Sequence, residues 1–181
     1  MKTDIWSFTP EHLFQWVVAF ALFEIPMALF YWNISSPNDN VRTWYRGDYI
    51  NIWNVILQDA VYVILGIIIT VALLSFLHHK YGIQKSLMTF LLLFISVQIV
   101  GDLTFATLML RIPKSYSTKW VSFFQNYINT SSWYALFGDT LYIIAWTLTY
   151  YILSKHIQPT FSQQIAILCT FLFLVSAYSV R

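Results

Sequence analysis

Five times along this chain an apolar run comes close to the roughly 20 residues that an α-helix needs to cross about 30 Å of hydrocarbon. The runs cover residues 13–32, 52–77, 86–110, 132–153 and 164–179. This recurrence sets the expected fold class: an all-α integral membrane protein, a single domain built as one bundle of about five transmembrane helices. Composition agrees. Only 10% of the 181 residues are charged, 58% are hydrophobic and 19% aromatic, and the mean hydropathy is +0.60, whereas an ordinary globular domain carries about 25% charge. The formal net charge is +2 and no basic run is long enough to serve a polyanion, which argues against nucleic-acid binding. The single cysteine, Cys169, sits in an apolar run; it allows neither an intrachain disulfide nor a cysteine metal cluster.

Local signals frame the runs. Thr9-Pro10-Glu11 places a capping hydroxyl, a first-turn proline and an acid before the first run. Thr160 and Gln163 offer a capping box before the fifth, which is the shortest. The N-terminus has one early lysine and no Ala-x-Ala-like cleavage site, so the first run is expected to be retained rather than cleaved as a signal. Links at 78–85 and 154–163 are short and imply antiparallel neighbours. The longer ones, 33–51 and 111–131, hold Trp44, Tyr45 and Tyr49, with Trp53 just beyond, and Trp120, Phe123, Phe124 and Tyr127, which read as aromatic belts at the headgroup level. Residues 120–128 repeat their apolar side chains at spacings of three and four, the pattern of a short amphipathic helix lying on the membrane.

Four acids fall inside the runs: Glu24, Asp59, Asp102 and Asp139. Charge in a span is costly, so each is a candidate functional group. Following the alternation of the spans, with side X defined as the side of the 33–51 loop, all four lie some seven or eight residues from the side-X end of their run, roughly 10–13 Å deep. They are expected to share one layer. Gln98 and Asp102 form an i,i+4 pair; Asp59, Tyr62, Gly66 and Thr70 make one stripe and Asp139, Tyr142, Trp146 and Thr149 another. Gly101 and Gly138 precede their aspartates and would allow close backbone approach, and Pro26 frees a carbonyl near Glu24. Glu24, Gln58, Asp59, Tyr62, Gln98, Asp102, Asp139 and Tyr142 are therefore the candidate ligand or ion site, suited to a hard cation or a proton relay. The alternative is that the same groups hydrogen-bond one another and hold the helices together with no transport or chemistry.

The histidines form a second grouping. His12, His78, His79 and His156 all fall near the opposite side, Y, where they could converge on a metal, but no His-x-x-x-His or His-Glu-x-x-His spacing supports it. No lysine lies mid-span for a retinal Schiff base and no intramembrane histidine is placed to ligate a haem. A phosphate loop, a nucleophile elbow and a potassium-filter sequence are absent too, so neither an enzyme nor a cofactor is expected. Side X carries Arg42, Arg46, Arg111, Lys114, Lys119 and Arg181 against Lys2, Lys80, Lys85 and Lys155 on side Y, which leans toward a cytoplasmic side X. The triplets at Asn33 and Asn129 match the glycosylation pattern on that same side, and glycans there would reverse the orientation.

Three stretches stand together: residues 51–59 running into 61–66, then Gln98-Ile99-Val100-Gly101-Asp102, then Phe123-Phe124-Gln125-Asn126-Tyr127 followed by Phe137-Gly138-Asp139-Thr140. The set resembles a group of multi-span membrane proteins encoded by giant DNA viruses of algae and protists, over about residues 50–150. The resemblance brings no activity. It implies a setting, an internal virion membrane or a host membrane, and a structural role. The reading that follows is a non-enzymatic structural or assembly component whose partners are the lipid bilayer and, further, a second copy or other membrane or capsid proteins. A small proton or cation channel using the acidic layer is the alternative, and a membrane enzyme or lipid-binding protein comes third.

Overall fold

The computed structural model describes residues 6–33, 51–131 and 133–179. Six α-helices account for most of them: α1 (Pro10–Asn33), α2 (Ile52–Tyr81), α3 (Leu87–Arg111), α4 (Lys119–Ser131), α5 (Trp133–Ile152) and α6 (Phe161–Ser179). A 3₁₀ turn, Lys114–Tyr116, leads into α4, and a π turn, Leu153–Ile157, extends α5. There is no strand among the described residues. Three of the helices, α2, α3 and α5 with its π turn, are long and apolar enough to cross a membrane, and Phe161–Ala177 adds a shorter apolar stretch. The described residues are thus all-helical, and the chain carries the several long apolar helices of a membrane protein.

The helix ends follow from local chemistry. Thr9 Oγ1 accepts the His12 N–H at 3.2 Å, Asn51 Oδ1 that of Trp53 at 2.9 Å, Ser86 Oγ that of Thr89 at 3.1 Å and Thr118 Oγ1 that of Val121 at 3.2 Å, each satisfying an otherwise orphaned N-terminal donor. Before α6 the capping box closes in both directions: Gln163 N–H to Thr160 Oγ1 at 3.3 Å, and Thr160 N–H to Gln163 Oε1 at 2.9 Å. Gly82 ends α2 in the left-handed region, φ 68°, returning its N–H to the His78 carbonyl at 3.0 Å. Pro113 stops α3 by holding Ile112 extended.

Three connections differ from expectation. α2 runs on past His78 to Tyr81, so the 78–85 link shrinks to the few residues around Gly82. The 154–163 link is half consumed by the π turn, which Gln158 closes with a 2.7 Å bond to the Leu153 carbonyl at φ 47°. The amphipathic helix expected at 120–128 forms as α4, and part of its apolar face packs within the protein. Val121 and Phe123 are buried, Trp120 and Phe124 pack edge-on to Phe105 of α3, and the exposed residues are Lys119, Ser122, Asn126, Asn129 and Thr130. Of the 33–51 loop, Trp44, Tyr45 and Tyr49 lie outside the described residues.

The long helices close a ring: α1 packs on α5, α5 on α3, α3 on α2, α2 on α6 and α6 on α1, while α4 leans on α3 and α5. Aromatic rings fill its side-Y half. Trp16 stacks on Tyr150 at 3.8 Å between centroids and meets Phe90 at 5.6 Å and Trp146 at 6.0 Å; Trp6 stacks on Phe90 at 4.4 Å. The Trp146 indole N–H, which needs a partner in an apolar interior, donates to the Trp16 carbonyl at 3.1 Å. This packed floor lies below the level of the four acids.

Candidate functional site

On α3, Phe90, Phe94 and Gln98 recur every fourth residue and are buried; Asp102 is the next step of the same stripe and is half-buried. From one turn below, the Gln98 amide donates to Asp102 Oδ2. From α2, the Tyr62 hydroxyl donates to Asp102 Oδ1. Gly101 makes that reach possible, since a Cβ there would stand 2.6 Å from the Tyr62 oxygen. Gly66 serves a similar purpose one turn further on, where a Cβ would meet the Phe94 ring at 2.8 Å. The expected stripe of Asp59, Tyr62, Gly66 and Thr70 therefore turns largely toward α3.

α5 supplies the other half. Thr140 Oγ1 stands 3.1 Å from Gln98 Oε1, which orients the amide so that its NH₂ faces Asp102. Asp139, the residue before Thr140, comes up beside Asp102 from the α5 side. One turn along, the Tyr142 hydroxyl donates to Glu24 Oε2 of α1, and Glu24 is fully buried. Pro26, two residues beyond, lacks the N–H that would pair with the Leu22 carbonyl. Tyr142 and Trp146 thus face α1 while Asp139 and Thr140 face α3, so the stripe read along α5 divides between two neighbours. Gly138 is a correction: unlike Gly101, it has nothing within 4 Å of where its Cβ would be among the described residues, and it serves no close approach to them.

The layer is not uniform. Tyr62, Gln98, Asp102, Asp139 and Thr140 form one network over α2, α3 and α5; Glu24 and Tyr142 form a second, joined to it through α5. Asp59 is half-buried one turn before Tyr62. Gln58 turns elsewhere, its Oε1 accepting the Trp120 indole N–H of α4 at 2.8 Å, so it fastens α4 to α2. Exposure changes along α5 as well. Ile143, Trp146 and Tyr150, which share a face with Asp139 at steps of four, seven and eleven, are buried, whereas Asp139 is exposed. Burial along this face of α5 therefore ends at Asp139, above the aromatic floor.

The histidines do not converge. His12 Nδ1 lies 2.9 Å from the Ser7 carbonyl, His78 Nδ1 lies 2.9 Å from the Ile83 carbonyl, and the His156 ring packs on Tyr151. His78 and His79 are ring neighbours at 5.7 Å. Among the described residues no three His, Cys, Asp or Glu side chains form a group able to hold a metal ion, which applies to the carboxyl layer as much as to the histidines.

Two contributors were not among the candidates, Thr140 and Trp120. Thr140 is visible in sequence only as a hydroxyl beside Asp139, and α-helical threonines more often bond their own i−4 carbonyl, which Thr140 also does at 2.8 Å. Trp120 carried a belt signature, which cannot distinguish an indole aimed at a headgroup from one aimed at a glutamine on α2. Comparison with known proteins adds no assignment: no family model, no curated protein and no solved structure matches the chain.

Proposed function

We propose that this protein is a non-enzymatic integral membrane component, structural or assembly-related, in which α1, α2, α3, α5 and α6 all cross the bilayer and the carboxyl layer holds them in register. The observation that carries this reading is the way Asp102 is used. Both of its oxygens accept hydrogen bonds, from Tyr62 of α2 and Gln98 of α3, and Asp139 and Thr140 of α5 complete the set. Polar groups inside a bilayer favour bonding one another across helices. A network that joins three helices this way resists sliding by a turn, because any shift would leave buried polar groups unpaired.

Charge is sorted by depth in the same sense. From residue 60 onward the acids are Asp102 and Asp139, both in the layer, while the basic residues Lys80, Lys85, Arg111, Lys114, Lys119 and Lys155 stand at helix ends or in connections. Cations at the headgroup level and carboxyls bonded inside suit a chain anchored across the membrane. The resemblance to giant-virus membrane proteins supplies the proposed setting, a virion-internal or host membrane, with side X toward the cytoplasm.

A second reading, a proton or cation pathway, is favoured by one observation: Asp139 is exposed on a face whose next turns are buried. The two separate in an unfolding experiment on reconstituted protein. A structural lock predicts that Asp102→Ala lowers stability by about 1–3 kcal/mol, the penalty for stranding the buried Gln98 amide. A transport site held at a cost to stability predicts that the same substitution leaves stability unchanged or raises it.

A further inference from the structure

The outward face of α5 carries a pattern that packing within the chain does not use. Tyr134, Leu141 and Leu148 alternate with Gly138, Ala145 and Ile152 at the three- and four-residue steps of a heptad seam. Tyr134 is 83% exposed and Leu141 51%, and Gly138, Leu148 and Ile152 are exposed as well. An apolar outward face is ordinary for a membrane helix, and on α2 it is made of bulky residues such as Leu57, Val61, Leu65 and Ile68, which suit lipid. α5 differs in having a glycine, Gly138, on this face.

Glycine in a helix interior costs about 1 kcal/mol relative to alanine, and in membranes it is used where another surface approaches closely. Two helical glycines here follow that rule inside the chain: Gly66 receives the Phe94 ring and Gly101 the Tyr62 ring. Among the described residues Gly138 receives nothing. We propose that α5 is the interface of a parallel two-fold homodimer, with Gly138 and Ala145 bringing the backbones together and Tyr134, Leu141 and Leu148 of each copy packing beside them.

A second copy fits this face better than a different partner for two reasons. Both copies of a chain enter the bilayer in one orientation, and a two-fold axis along the membrane normal sets the seam against itself, small positions facing small and large facing large. The area also suffices. The exposed surface of the seam with flanking Phe137 amounts to roughly 700 Å², close to the roughly 800 Å² that each partner gives to a standard interface. The inference deepens the structural reading above and rests on its premise that the chain resides in a bilayer.

The test uses full-length protein reconstituted in bilayers, with Cys169→Ser as background. Cysteines introduced as Leu141→Cys, Ala145→Cys and Leu148→Cys should give oxidised dimers, because seam positions bring Cα atoms within disulfide reach; Leu65→Cys on α2 should not. Counting subunits by single-molecule photobleaching should give two steps for the unmodified seam. Gly138→Leu should reduce the dimer fraction at least tenfold while leaving the monomer no less stable, since among the described residues the space beside Gly138 is open. Cross-linking no stronger from the seam than from Leu65→Cys, or a dimer fraction indifferent to Gly138→Leu, would overturn the proposal and leave lipid as the cover of this face. Failure of the chain to enter bilayers at all would instead count against the premise of membrane residence.

Discussion

Tyr62 reaches Asp102 by lying over Gly101, the residue that immediately precedes the carboxyl it serves. A glycine and an aspartate side by side on α3 thus act as one device: the first clears the path along which the phenol reaches the second. The same dipeptide recurs on α5 as Gly138-Asp139, where the two residues have separate uses, the aspartate turned to Asp102 and the glycine left open.

That contrast gives opposite expectations for two like substitutions. Gly101→Ala should cost about 1–3 kcal/mol, the range for overpacking a filled site, and should weaken the Tyr62 bond. Gly138→Ala in detergent-solubilised monomer should be neutral or stabilising by up to about 1 kcal/mol, since alanine removes the helix penalty of glycine and meets no atom. Unfolding midpoints of the two variants in the same micelle check the pair; equal destabilisation would contradict it.

Much of the architecture was legible because membrane spans are written in length and apolarity, and the capping residues Thr9, Ser86 and Thr160 sit where the helices begin. The pairing of Gln98 with Asp102 was legible for a similar reason, since residues four apart share a helix face. Facing was harder. Asp139 and Tyr142 share a stripe yet serve different neighbours, because which helix lies on each flank of α5 is a property of the ring and not of α5. The fate of α4 was hidden likewise: an apolar face on a short helix reads the same whether lipid or Phe105 covers it.

Trp16 is expected to be the most costly single truncation in the interior. It stacks on Tyr150 and contacts Phe90 and Trp146, and its own carbonyl holds the Trp146 indole. Trp16→Ala should lose about 3–5 kcal/mol, measured as unfolding free energy in a mild micelle. A loss under about 1 kcal/mol would mean that the aromatic floor does not hold α1 to α5.

Trp120→Phe keeps the ring and removes the N–H that Gln58 accepts. Net loss of one such bond is worth about 0.5–1.5 kcal/mol, and its effect should be local. Amide hydrogen exchange over 119–131 should accelerate several-fold while α2 and α3 stay protected. Uniform change, or none, would show that α4 is held by its apolar packing alone.

The proposed crossing of α2, α3 and α5 has a topological consequence for the lysines. Lys114 and Lys119 fall on one side, and Lys80, Lys85 and Lys155 on the other. An impermeant amine reagent added to sealed, singly oriented vesicles should label one set and spare the other. Labelling of both sets from one side would contradict the membrane crossing of these helices.

The claim that the carboxyl layer is a lock and not a pathway is tested most directly by flux. Purified protein in proteoliposomes, under a proton gradient and then under sodium, potassium and calcium gradients, is compared with Asp102→Asn and with empty liposomes. The account predicts flux no greater than that of empty liposomes for both proteins, with the unmodified chain shown to be folded. Specific flux through the unmodified chain that disappears in Asp102→Asn would contradict it and make the layer the site of conduction.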